Sequence, residues 1–180
     1  MKKLTLLRHA KSSWDDTVTR DFDRPLNDKG KRAATAIGTF VKREKLKFDL
    51  VLASPATRVI ETLEQFEEAS GLALEPEWDR RIYLASSVTL LDVIRGADAA
   101  VDHVLMVGHN PGLEDLVFDI VPDDGSSQAR DEVETKYPTA ALAELNLAIE
   151  DWESISDNCG SLERFTRPRD LDPSLGPDYN

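Results

Sequence analysis

The stretch LTLLRHAKSSWDD, residues 4–16, decides how this chain folds. Its first four residues, LTLL at 4–7, are apolar or β-favouring, and they run straight into Arg8 and His9. Burying a guanidinium and an imidazole at the end of a core strand is costly unless something anionic meets them. Two further runs share the design: FDLVLAS at 48–54 ends in Ser54, and HVLMVGH at 103–109 ends in His109. Each is short, rich in Val or Leu and closed by a turn signal, as expected of a strand buried on both faces in a parallel sheet.

Helical patterns lie between these runs. From Asp28 onward, Ala33, Ala34, Ile37, Phe40 and Val41 recur at helix spacing opposite a charged face. In SPATRVIETLEQF, 54–66, Ser54 reads as the N-cap and Pro55 as the first helical residue. Val59, Leu63 and Phe66 then form a stripe that Gly71 ends. A shorter helix starts at Ser86 or Ser87 and carries Leu90, Leu91 and Ile94. NPGLEDLVFDI, 110–120, repeats the strand–proline–helix design with Leu113, Leu116, Val117 and Ile120. Strands alternating with helices predict an α/β chain: a three-layer sandwich with a mostly parallel central sheet, one domain over residues 1–166. Residues 122–132 read as a polar loop. TAALAELNLAI, 139–149, reads as a late strand with Ala141, Ala143, Leu145, Leu147 and Ile149 on one face, and GSLERFT, 160–166, as a weaker one. The proline-bearing C-terminal tail, 167–180, reads as a surface strap or a disordered end.

The formal net charge of the 180 residues is −12, which repels nucleic acid and anionic membranes, so neither is an expected partner. An acidic protein that binds anions must do so through a local cationic pocket. The single cysteine, Cys159, permits no internal disulfide and points to a reducing compartment, the cytoplasm. It sits in SDNCGSLER without a neighbouring histidine and reads as structural. The apolar run in MKKLTLL is too short for a signal peptide, and no stretch approaches the roughly 18 apolar residues that span a bilayer. A monomer is expected.

In an open α/β sheet, ligands bind outside the carboxyl ends of the strands. Parallel strands would therefore bring Arg8, His9, Arg58 and His109 together, beside two helix N-termini. That is an anion pocket, and phosphate suits it because several donors surround one point. A neutral imidazole there is a nucleophile, and the arginines would neutralise the equatorial oxygens of a phosphoryl group moving in line. The chain has three histidines and no histidine–carboxylate spacing typical of a metal site, so neither a metal nor another cofactor is expected.

These residues resemble a known family. LLRHA (6–10) resembles the RHG signature of the histidine phosphatase superfamily. SPATRVIET (54–62) is similar to its second motif, and VGHNP (107–111) to its second-histidine motif. DFDRPLNDKGKRAA (21–34) resembles the segment found in SixA-type phosphohistidine phosphatases, and YPTAALAEL (137–145) extends a likeness that spans about residues 3–120. The resemblance implies a phosphoglycerate mutase-like fold and a metal-independent phosphatase. His9 would carry the phosphoryl group, Arg8, Arg58 and His109 would complete the pocket, and Arg24 and Asn110 would contact substrate. Two departures stand out: Ala10 replaces the usual glycine, and EWDRRIYLASS (77–87) has no glutamate where many relatives place a general acid. SixA-type proteins share that lack, which favours a phosphorylated protein as substrate. The rivals are a small phosphorylated substrate and a non-catalytic phosphate-binding module.

Some assignments stay open at this level. Arg24 either contacts a ligand or pairs with Asp21 or Asp23. Asp15 and Asp16 either donate a proton or lie solvated in a loop. Trp14, Trp78 and Trp152 are expected to pack, and His103 to be structural.

Overall fold

A computed structural model describes residues 1–14 and 20–177. One six-stranded sheet is built from β1 (Lys2–Arg8), β2 (Leu50–Ala53), β3 (Glu77–Trp78), β4 (His103–Gly108), β5 (Leu142–Leu147) and β6 (Gly160–Thr166). Its spatial order is β3-β2-β4-β1-β5-β6. The first four strands run parallel, β5 runs antiparallel to β1, and β6, antiparallel to β5, returns to the direction of the first four. Around it lie α1 (Asp28–Arg43), α2 (Thr57–Ser70), α3 (Ser87–Arg95), α4 (Gly112–Ile120), α5 (Gln128–Thr135) and the single turn α6 (Pro168–Leu171).

The alternation of strand side chains divides the core in two. Leu4 and Leu6 of β1, with Val104 and Met106 of β4, face α3, α4 and α5. Leu7, with Leu105 and Val107, faces α1 and α2. The five apolar residues expected on one face of the late strand all pack in the first of these clusters. In α1, Ala33, Ala34, Ile37, Phe40 and Val41 are buried, as their spacing predicts, and Asn27 caps the helix through Gly30 N–H at 2.8 Å. Gly71 ends α2 in the left-handed conformation, φ 74°. Ser86 caps α3.

Three expectations fail locally. Ser54 is not the cap of α2: Ala56 holds that position and the helix begins at Thr57. The Ser54 hydroxyl instead accepts from Ala56 N–H at 3.3 Å and meets His109 Nε2 at 2.8 Å. The polar loop at 122–132 turns helical at Gln128, capped by Ser127. This helix buries Arg130 and Val133 and so shows no apolar stripe. Trp152 packs, being fully buried, but Trp14 and Trp78 are exposed.

Residues 167–177 form two helical turns, Pro168–Leu171 and Pro173–Leu175, laid against α1. Leu175 is buried in the α1–α2 core cluster. Lys29 of α1 donates to the Gly176 carbonyl at 2.6 Å. No helix among the described residues is long and apolar enough to cross a membrane.

Candidate active site

Hydrogen-bond register places the three strand ends side by side. Arg8 pairs with Gly108 across β1 and β4, His9 N–H donates to the Gly108 carbonyl at 3.1 Å, and Ser54 N–H donates to that of Val107 at 3.1 Å. His9 and His109 therefore stand 5.2 Å apart, centroid to centroid. The turn after His9 is tied down from three sides. Ala10 N–H donates to Thr62 Oγ1 at 2.9 Å, and that hydroxyl donates to the Arg58 carbonyl at 2.6 Å, so the first motif is hydrogen-bonded to the second. Ala140, left-handed at φ 60°, turns its N–H onto the carbonyls of both Arg8 and His9 at 3.0 Å. Gly30, in the first turn of α1, lies so close to the Lys11 carbonyl that a Cβ would collide with it.

The tautomers of both imidazoles follow from their partners. His9 Nδ1 lies 2.7 Å from the Ala10 carbonyl, which can only accept. Nδ1 therefore carries the proton, and Nε2 keeps its lone pair. For His109 the order is reversed: Nδ1 lies 3.3 Å from Arg58 Nη2, which can only donate, so Nε2 carries the hydrogen and gives it to Ser54 Oγ. Burial holds both rings neutral, pushing His9 and His109 from 6.5 down to about 3, with nearby arginine charge adding to the effect.

Three arginines surround this pair. Arg58 is 2 % exposed and Arg24 7 %, and Arg8 donates through Nη1 to the Tyr137 carbonyl at 2.9 Å. Each retains one buried nitrogen with no hydrogen-bond partner among the described residues: Arg8 Nε, Arg24 Nη1 and Arg58 Nε. Buried polar groups are normally paired, so this clustering of orphan donors describes a receptor for an oxyanion.

Asp21, which sequence reasoning named only as a possible partner of Arg24, organises the arginines. Its carboxylate accepts from Arg58 Nη2 at 3.0 Å, from Arg24 Nε at 3.2 Å and Nη2 at 3.1 Å, and from the Tyr83 hydroxyl. Its backbone carbonyl accepts from Arg58 Nη1 at 2.7 Å. Burial pushes this carboxyl up, but the Tyr83 hydrogen bond and the Arg58 and Arg24 charges outweigh it and hold the group below its ordinary value. Tyr83 also stands edge-on to His109 at 5.3 Å. Of the two readings left open, the pairing of Arg24 with Asp21 is present, and the residue also lines the pocket. Trp14 does not pack in the core. It lies over the Arg24 guanidinium, 3.3 Å from ring centroid to Cζ, with the residue 73 % exposed.

The Asn110 side chain lines the pocket, with its amide engaged at both ends. Nδ2 donates to the Tyr137 carbonyl at 3.0 Å, and Oδ1 accepts from Glu114 N–H at 3.2 Å. His103 lies at the opposite end of β4 against Thr5 Oγ1 at 2.7 Å. Asp15 and Asp16 lie outside the described residues. Among the described residues no group of three or more His, Cys, Asp or Glu is placed to hold a metal ion.

Residues 4–82 match the model of the histidine phosphatase superfamily (branch 1). An uncharacterized protein of Mycobacterium tuberculosis (strain H37Rv) is 31 % identical over 164 residues, 91 % of this chain and 100 % of the relative. The chain belongs to the histidine phosphatase superfamily. Among solved structures, a protein assigned as phosphohistidine phosphatase SixA from Agrobacterium tumefaciens superimposes with a TM-score of 0.77 at 30 % identity, covering 93 % of this chain and 98 % of that one. Another so assigned, from Nakamurella multipartitia, gives 0.78 at 29 % identity, covering 93 % and 96 %. The fold is the phosphoglycerate mutase-like α/β sandwich, and the phosphatase is a hydrolase.

Proposed function

We propose that this phosphatase removes the phosphoryl group from phosphohistidine on a protein, through a covalent intermediate on His9. The observation that carries the mechanism is the 2.7 Å bond from His9 Nδ1 to the Ala10 carbonyl, which leaves Nε2 as the nucleophilic nitrogen among three unpartnered guanidinium donors. Nε2 attacks phosphorus, the Nε2–P bond forms, and the bond to the leaving nitrogen breaks with its electron pair. Arg8, Arg24 and Arg58 neutralise the equatorial oxygens of the in-line transition state. His109, neutral at working pH, accepts from Arg58 and donates to Ser54 and so orients the Arg58 guanidinium, and Asn110 holds the Tyr137 carbonyl on which Arg8 rests. Water then attacks the same phosphorus, releasing inorganic phosphate and free His9.

The choice of phosphohistidine rests on the lack of a free acid among the described pocket-lining residues. Asp21 is the sole carboxylate among the described pocket-lining residues, and its hydrogen bonds keep it ionised. A positioned acid is worth roughly 10²–10⁴ in rate to an alkoxide leaving group. Imidazole departs without that help, since it can be protonated from solvent. The test is a leaving-group series at fixed pH, read as log(kcat/KM) against leaving-group pKa. A steep negative slope, with fast turnover of phosphoramidates and aryl phosphates and slow turnover of alkyl phosphates, is expected. A flat slope with good turnover of a sugar phosphate would move the substrate to the small phosphoesters.

A further inference from the structure

The pocket is much larger than the group it is proposed to transfer. Its volume is about 630 Å³, within the roughly 300–1,000 Å³ that encloses whole organic ligands. A phosphoryl group held by His9 and the three arginines would fill only its floor. Above the floor, one wall is the strap 167–177, which contributes Arg169, Leu175 and Pro177. The strap is fixed there by the buried Leu175 and by the Lys29–Gly176 bond. The connection between α5 and β5 adds Lys136.

The charge of this mouth opposes that of the molecule. The chain carries a formal −12, yet the described lining holds one carboxylate, Asp21, already committed to Arg24 and Arg58. Arg167 is likewise spent, its guanidinium paired with Asp170 at 2.9 Å. Lys136 is exposed and Arg169 half-buried, and neither has an ion-pair partner among the described residues. On an acidic protein, two uncommitted cations beside an anion pocket attract further negative charge on the same ligand. The same pocket also offers apolar surface: Trp14 presents its face away from Arg24, and Leu84 is 56 % exposed. Mixed apolar and cationic walls suit an extended polypeptide bearing carboxylates.

Resting on the phosphohistidine reading above, we propose that Lys136 and Arg169 form a flank-reading subsite that selects substrates with acidic residues on either side of the phosphorylated histidine. The strap thereby acts as a specificity wall. A small, multiply phosphorylated molecule would use the same cations and is an outcome of the test.

The experiment uses the full chain and three phosphohistidine peptides of one length, with acidic, neutral or basic flanks, at low and high salt. The acidic peptide is expected to exceed the neutral one in kcat/KM by about fivefold to tenfold at low salt, the size of two partly exposed ion pairs. The preference should shrink at high salt. In the double variant Lys136→Glu, Arg169→Glu the ratio should invert in favour of the basic peptide. A purely structural role for these residues would lower all three peptides together and leave the ratio unchanged. Equal use of the three peptides by the native enzyme overturns the subsite and leaves the phosphohistidine reading intact. Hydrolysis of p-nitrophenyl phosphate with no turnover of any peptide overturns both. A sugar bisphosphate used better than every peptide, with a preference abolished by the double variant, would make the subsite one for small polyanions.

Discussion

Replacing Asp21 by Asn tests whether one carboxylate sets the phosphate pocket. The substitution keeps the shape and one acceptor, but removes the charge that faces Arg58 Nη2 at 3.0 Å and Arg24 Nη2 at 3.1 Å. Stripping a buried ion of its partner costs about 3–5 kcal/mol. Arg58 is buried, but the Asp21 side chain is 41 % exposed, so screening reduces the expected loss to about 1–3 kcal/mol. For a chain of this length that is a fall in Tm of about 3–10 °C. The sign should reverse with ligand: with Arg58 and Arg24 less satisfied in the free enzyme, vanadate or phosphate should stabilise Asp21→Asn more than the native protein. Catalysis should still suffer. Losing one oxyanion donor costs about 10²–10³ in kcat. Arg58 keeps the Asp21 backbone carbonyl at 2.7 Å as an anchor, so a fall of about tenfold to a hundredfold in kcat/KM on p-nitrophenyl phosphate is expected. Calorimetric melts with and without vanadate, beside steady-state kinetics, read all three quantities. A variant with native Tm, native vanadate stabilisation and native kcat/KM would refute the role given to Asp21.

Arg58→Ala should lower kcat/KM by about 10²-fold or more, and Arg58→Lys should recover only part, because an ammonium cannot hold Asp21 and the substrate through a planar fork. The titration of the two histidines fixes the sign of the pH dependence. Both are depressed from 6.5 to about 3 in the folded state, so between those values the unfolded chain binds more protons. Their contribution to stability is fully present above pH 6.5 and is lost as the pH falls toward 3, which denaturant titrations at pH 7 and pH 5 should show. The acid limb of kcat/KM, corrected for substrate ionisation, should fall below pH 5, whereas that of kcat should lie higher because a bound phosphoryl dianion favours imidazolium. An enzyme limb at 6.5 in kcat/KM would mean that His9 is not desolvated.

Much of this was legible because buried strands carry their own signal. Arg8, His9 and His109 stand out as polar residues closing apolar runs, and parallel register then brings them together without further information. Arg58 was legible from its place in the first turn of a helix that starts at the same end of the sheet. Asp21 was not, because it sits in a three-residue 3-10 turn with no periodicity and meets Arg58 across 37 positions of sequence. Ser54 was misread for a physical reason: a serine before proline is a good cap, but here its hydroxyl is drawn to His109. The strap's packing depends on Leu175 and one lysine–carbonyl bond, and α5 on a buried arginine; neither leaves a hydrophobic pattern in the sequence.

The most direct test of the mechanism is whether the phosphoryl group passes through His9. Full-length enzyme is mixed with a ³²P-labelled phosphoramidate, quenched in base within the first turnovers, and digested for mapping. The account predicts a label stable in base, lost in acid, and located on the peptide containing His9, with no label and no turnover in His9→Ala. A label on another residue, or retained turnover by His9→Ala without any covalent species, would contradict it.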